Sequence, residues 1–209
     1  MPGPTPTMWP TPWQPTNRLL PTTVAIIGAG PLGRWLAMAA ARAGFRVLLE
    51  DVMPANLHHA QEFLRQQLGS EALGGETGAD SDFTVNFVST IEDAVRNADL
   101  AIDCVPDELE SKLEIFWLLD RMAPPHTVLL TPTTRLSIAD LADCTYRSDK
   151  CIAIAAEASS LASGASGAEI PLRTTSKTTP RTVTLVDDFW RRLGFTPRFA
   201  PDPADQFPS

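Results

Sequence analysis

A five-residue strand-like run, Thr23-Val24-Ala25-Ile26-Ile27, closes on Gly28-Ala29-Gly30-Pro31-Leu32-Gly33 and opens directly into the Ala-rich segment Leu32–Ala43. The string G-x-G-x-x-G is common, and it constrains a fold only where it joins a strand to a helix. There Gly28 permits the tight turn, Gly30 lets backbone approach a diphosphate, and Gly33 lets the helix pack close on the strand. Unpaired amides and the partial positive charge at a helix N-terminus then favour an anion. A second apolar run, Arg46-Val47-Leu48-Leu49-Glu50, is followed by Asp51, eighteen residues beyond Gly33. An acid at that place accepts the ribose hydroxyls of an adenosine and repels a 2′-phosphate. The pattern predicts a dinucleotide held at Gly28, Gly30, Pro31, Leu32, Gly33 and Asp51. The competing reading is a glycine turn beside a solvated acidic pair.

One residue in the motif works against tight binding. Pro31 has no N–H, so the helix mouth offers one donor fewer. A hydrogen bond to a charged group is worth about 1.5–3 kcal/mol. Arg34 lies in the same turn and either replaces that donor or is a surface arginine.

Beyond the motif, strands and helices alternate. Pro54 opens a helical segment to about Leu68, since proline is tolerated in a first helical turn. Gly69–Asp82 reads as a solvated loop. Phe83–Val88, Leu100–Val105, Thr127–Thr131 and Cys151–Ala155 read as strands, and Ile91–Ala98, Glu108–Met122, Ser137–Ala142 and Thr179–Leu193 as helices. Strands alternating with helices imply crossover units, hence an α/β fold of the Rossmann type: a doubly wound, mainly parallel sheet with helices on both faces. The body is expected over residues 22–199. Residues 1–21 hold 7 of the 19 prolines and read as a polyproline-like or disordered arm, with Trp9 and Trp13 as alternative docking points on a partner or on the body. Residues 200–209 read as a loose, Pro/Asp-rich tail.

Composition narrows the partners. Lys plus Arg number 17 against 25 Asp plus Glu, a net charge of -8, which argues against nucleic-acid binding through counterion release. No run approaches the roughly 20 apolar residues of a membrane helix, and the N-terminal stretch lacks the layout of a secretory signal. Three scattered cysteines (Cys104, Cys144, Cys151) fit neither a disulfide framework nor a metal site. These features lead to the expectation of a cytoplasmic protein with no membrane partner.

The segment Val24–Gly33, with Asp51 closing the second strand, resembles the NAD-binding domain of 3-hydroxyacyl-CoA dehydrogenases. Ala101-Ile102-Asp103-Cys104-Val105-Pro106-Asp107-Glu108-Leu109-Glu110-Ser111-Lys112-Leu113-Glu114-Ile115-Phe116 is similar to that family's fourth strand and following helix. Ala123-Pro124-Pro125-His126-Thr127-Val128-Leu129-Leu130-Thr131-Pro132-Thr133-Thr134-Arg135-Leu136-Ser137-Ile138 resembles its "apolar strand, S-N-T-S-S-L-S-I" segment. The resemblance runs in register from about Val24 to Phe199. It implies NAD(H) as cofactor, an acyl-CoA as substrate, and hydride transfer at the 3-hydroxyl. It also implies Asp51 on the adenosine ribose, Asp107 and Lys112 near the cofactor, and Thr134 in the place of a substrate-contacting serine. Solvated helix-start and turn residues are the plain alternatives for Asp107, Lys112 and Thr134.

Two departures from the family stand out. Its sixth strand ends in G-L-H-F-F-N-P with a histidine acid/base, where this chain has Ile154-Ala155-Ala156-Glu157. Ala155 holds the histidine's place, and alanine cannot accept a proton. Glu157 is the candidate substitute base, and Glu169 matches the family's histidine-orienting glutamate if the intervening loop is longer by two residues. Secondly, the family passes from its P-G-F segment into a helical domain that walls the cleft and carries dimer contacts. Here Gly194-Phe195-Thr196-Pro197-Arg198-Phe199 leads only into the tail. A homodimer or a separate helical partner is expected to complete the cleft, with Ser159–Gly167 as a mobile loop or a linker. Two functions follow: an NAD-dependent oxidoreductase, or a non-catalytic NAD-binding module acting as sensor, scaffold or subunit.

Overall fold

A computed structural model describes residues 22–69, 73, 85–157, 161 and 167–206. Eight strands form one sheet: β1 (Thr23–Ile27), β2 (Arg46–Glu50), β3 (Val85–Val88), β4 (Leu100–Asp103), β5 (Val128–Pro132), β6 (Cys151–Ile154), β7 (Glu169–Thr174) and β8 (Thr196–Pro201). Their spatial order is β3-β2-β1-β4-β5-β6-β7-β8. Every pairing is parallel except β6 with β7. The order reverses direction between β1 and β4, which opens a crevice beyond the carboxyl ends of these strands.

Among the described residues the sheet is covered by the helices α1 (Pro31–Arg42), α2 (Pro54–Leu68), α3 (Ile91–Val95), α4 (Leu109–Met122), α5 (Ile138–Asp143) and α6 (Pro180–Arg192). Three begin on proline, whose missing N–H is unneeded in a first turn. Thr90, Ser137 and Thr179 cap α3, α5 and α6 by accepting the N–H three residues on.

Alternate strand residues feed two cores. Val24, Ile26, Leu100, Ile102, Ile152 and Ile154 pack with α1, α2 and α6 on one face. Ala25, Ala101, Leu129 and Ala153 pack with α3, α4 and α5 on the other. Both sets are buried because a parallel sheet is covered on both sides. The first core ends in an aromatic group in which Trp190 meets Phe189 and Phe195 edge-on at 5.2 and 5.6 Å.

The two C-terminal strands correct the sequence reading. Pro171, Pro197 and Pro201 lie within β7 and β8, and proline ordinarily disfavours a strand. Here the Pro171 carbonyl, not the missing N–H, serves the ladder by accepting the Ala155 N–H at 2.9 Å. The expected loose tail is ordered as far as Gln206. Ala200 and Pro201 close β8, and Asp202 is buried, accepting the N–H of Ile138 at 2.7 Å. The arm 1–21 lies outside the described residues, as do most of the Gly69–Asp82 and Ser159–Gly167 loops. Among the described residues, no helix is long and apolar enough to cross a membrane.

Candidate nucleotide site

The first crossover builds a turn that only glycine satisfies. Gly28 has φ +103°, a left-handed conformation, and a Cβ there would stand 3.2 Å from the Cys104 carbonyl oxygen. A Cβ on Gly33 would collide with the Gly28 carbonyl oxygen. Gly30 differs: a Cβ there meets nothing within 4 Å. The space above Gly30 is open, at the mouth of α1, where the N–H groups of Leu32 and Gly33 have no helical partner. Pro31 supplies no donor, and the Arg34 guanidinium lies 5.8 Å over the Phe63 ring. That stacking against α2 supports the surface-arginine alternative.

Asp51 follows β2 and is 8% exposed. Its Oδ2 accepts the Ala29 N–H at 2.9 Å and its Oδ1 the Met53 N–H at 2.8 Å. The carboxylate is thus tied to the glycine turn on one side and to the start of α2 on the other. Asn56 donates its side-chain amide to both oxygens, at 3.1 and 3.0 Å. Beside it, Glu50 is 5% exposed. Burial first, and the Asp51 charge second, push its carboxyl up to about 7.

Lys112 behaves differently from the sequence expectation. It is fully buried and donates to Asp103 Oδ2 at 3.1 Å and to the Val105 carbonyl at 3.4 Å. Asp103 also accepts from Thr131 Oγ1 at 3.0 Å and from the Val105 N–H at 2.9 Å. Burial raises the Asp103 carboxyl, and the Lys112 ammonium partly offsets that rise. No part of Lys112 reaches the cleft surface. It fixes the end of β4 from beneath, and the spacing of Lys112, Phe116 and Leu119 on the buried stripe of α4 is the sequence signal for that placement.

Asp107, past the end of β4, is half-buried. Its Oδ1 is shielded yet has no hydrogen-bond donor among the described residues. Arg135 binds the Asp107 carbonyl at 2.9 Å and stands 3.9 Å from the carboxylate. At the ends of β5 and β6, Thr134 donates to Glu157 Oε1 at 3.1 Å, and both are exposed. Arg173 holds this corner by donating to the Thr133 carbonyl at 2.7 Å. Glu169 does not turn toward Ala155. It forms an exposed pair with Arg198 at 2.6 Å across β7 and β8. Burial pushes the Cys104 thiol up, and that of Cys151 to about 12, so neither supplies a thiolate. Asn56, Asp103 and Arg173 are the residues that the sequence reading did not single out.

The open space at Gly30, the carboxylate of Asp51 and the orphaned oxygen of Asp107 fit a nucleotide with an anionic linker and donor hydroxyls. Fold and site together define an NAD-binding domain of the Rossmann type. More narrowly, residues 23–156 match the family described as 3-hydroxyacyl-CoA dehydrogenase, NAD binding domain, and the chain belongs to that family. It is 35% identical over 133 residues to a probable 3-hydroxybutyryl-CoA dehydrogenase of Bacillus subtilis, covering 62% of this chain and 46% of the relative. It is 31% identical over 144 residues to the mitochondrial hydroxyacyl-coenzyme A dehydrogenase of Sus scrofa, covering 64% and 46%. The chain therefore spans about half the length of these curated relatives. Among solved structures, an NAD+ dependent 5-formyl-3-hydroxy-2-methylpyridine 4-carboxylic acid 5-dehydrogenase superposes with a TM-score of 0.70 at 27% identity, over 86% of this chain and 58% of that one. The (S)-3-hydroxybutyryl-CoA dehydrogenase of Ralstonia eutropha gives 0.73 at 21% identity, over 88% and 65%, and shows the fold alone.

Proposed function

We propose that this chain is the nucleotide-holding part of a 3-hydroxyacyl-CoA dehydrogenase-type protein, and that by itself it binds NAD(H) without efficient turnover of a 3-hydroxyacyl-CoA. When bound, NAD supplies the hydride acceptor. The chain's own residues hold it: Gly28–Gly33 at the diphosphate, Asp51 at the adenosine ribose, and Asp107 along the crevice. The observation that carries the reading is Ala155, which follows β6 where the family resemblance puts the acid/base histidine.

Oxidation of a hydroxyl needs a base for its proton, and general acid–base catalysis contributes typically 10²–10⁴-fold. None of the three histidines replaces it. His58 and His59 are exposed on α2. His126 precedes β5, 3.8 Å from Asp99, at the opposite end of the strands from the crevice. An acyl-CoA substrate, and a helical partner or second copy to wall the cleft, enter this reading through the family resemblance.

The Thr134–Glu157 hydrogen bond favours a second reading, in which Glu157 is the base and Thr134 orients it. A turnover assay separates the two. The purified chain, NAD and 3-hydroxybutyryl-CoA should yield no NADH above background while NADH binding is intact. Turnover that falls with Glu157→Gln would establish the second reading instead.

A further inference from the structure

We propose that Asn56 gates the ribose subsite: its side-chain amide occupies the acceptor positions of Asp51 that a ribose diol needs, and it swings away when a nucleotide binds. The inference rests on the NAD reading above and deepens it. An ionised carboxylate offers about four lone-pair sites. On Asp51 all four are taken, by the N–H groups of Ala29 and Met53 and by Asn56 Nδ2 once on each oxygen. Two of these donors are backbone, fixed by the glycine turn and the entry to α2. Only Asn56 is a side chain, and it lies on the exposed first turn of α2. Both short contacts end on acceptor-only oxygens, so it is the amide nitrogen that faces the carboxylate.

Two ribose hydroxyls cannot donate to Asp51 while that amide stays in place. Removing them from water without an acceptor would be costly. The Asn56 side chain has solvent to rotate into, whereas withdrawing either backbone amide would break the turn or unwind α2. Asn56 therefore mimics the ligand in the free protein, keeping a nearly buried carboxylate satisfied, and competes with the nucleotide for it.

The test is calorimetric titration of the intact chain, its Asn56→Ala variant and its Asn56→Ser variant with NADH, beside thermal unfolding without ligand. Loss of the competing bond should tighten NADH binding roughly 3- to 10-fold, while the ligand-free variants melt at lower temperature. A residue with a merely structural role would lower both stability and affinity. Equal or weaker NADH binding by the variants, with binding by the parent chain intact, overturns the gate and leaves the NAD reading standing. Failure of the parent chain to bind NADH overturns both.

Discussion

Substituting the glycines of the first turn one at a time separates binding from folding. Gly30 has φ −65° and ψ −175°, which any residue adopts, and a Cβ there meets no neighbour within 4 Å. Gly30→Ala should leave the fold intact, and reduced freedom of the unfolded chain should even stabilise it by up to about 1 kcal/mol. The added methyl, however, stands where a diphosphate must approach the backbone. Displacing one charge-assisted hydrogen bond costs about 1.5–3 kcal/mol, so NADH affinity should fall roughly 10- to 150-fold. Gly33→Ala meets the Gly28 carbonyl instead. Helix and strand must then separate, at an overpacking cost of about 1–3 kcal/mol, and stability and affinity should fall together. Thermal unfolding and NADH calorimetry on both variants read the two effects. Parental affinity in Gly30→Ala would refute the placement of the diphosphate, and parental stability in Gly33→Ala would refute the close packing of α1 on β1.

Further perturbations address the groups around this turn. Lys112→Met should destabilise the chain by roughly 3–5 kcal/mol, because it strands the buried Asp103 carboxylate, and adding Asp103→Leu should recover most of that loss; urea unfolding midpoints decide it, and a neutral single variant would refute the buried pair. Glu50 has a carboxyl raised from 4.5 to about 7 in the folded chain, so its contribution to stability is full below about pH 4.5 and is lost as pH rises through 7. Glu50→Gln should therefore be no more stable than the parent at pH 4.5 but more stable at pH 8, by roughly 3 kcal/mol at most. A gap that does not widen with pH, followed by thermal unfolding, would contradict the burial of that carboxyl. Arg173→Met should loosen the Thr133–Thr134 corner, seen as faster amide exchange there, whereas unchanged exchange would show that other contacts hold it.

The first half of the fold was legible because its signals are local. Short apolar runs, buried on both sides, end at glycine or an acid, and prolines mark the starts of α1, α2 and α6. Antiparallel β7 and edge strand β8 were missed because Pro171, Pro197 and Pro201 mimic a loop when only local propensity is read. Their strand conformation comes from tertiary pairing, including the Ala155–Pro171 hydrogen bond. In the site, the close packing at Gly28 and Gly33 and the place of Asp51 beside the turn could be read from spacing, because backbone geometry sets them. Lys112 was read as near the cofactor or as a solvated helix-start residue, whereas its place on the α4 stripe turns it inward onto Asp103. Asn56 carried no signal, since only the folded turn of α2 brings its amide back onto a carboxylate five residues earlier.

The most direct measurement is titration of the intact chain with NADH and with NADPH, repeated on Asp51→Ala. NADH should bind in preference to NADPH, because the Asp51 carboxylate accepts hydroxyls and repels a 2′-phosphate, and the substitution should erase most of that preference. No binding of either nucleotide, or equal affinity for both in the parent chain, would contradict the account.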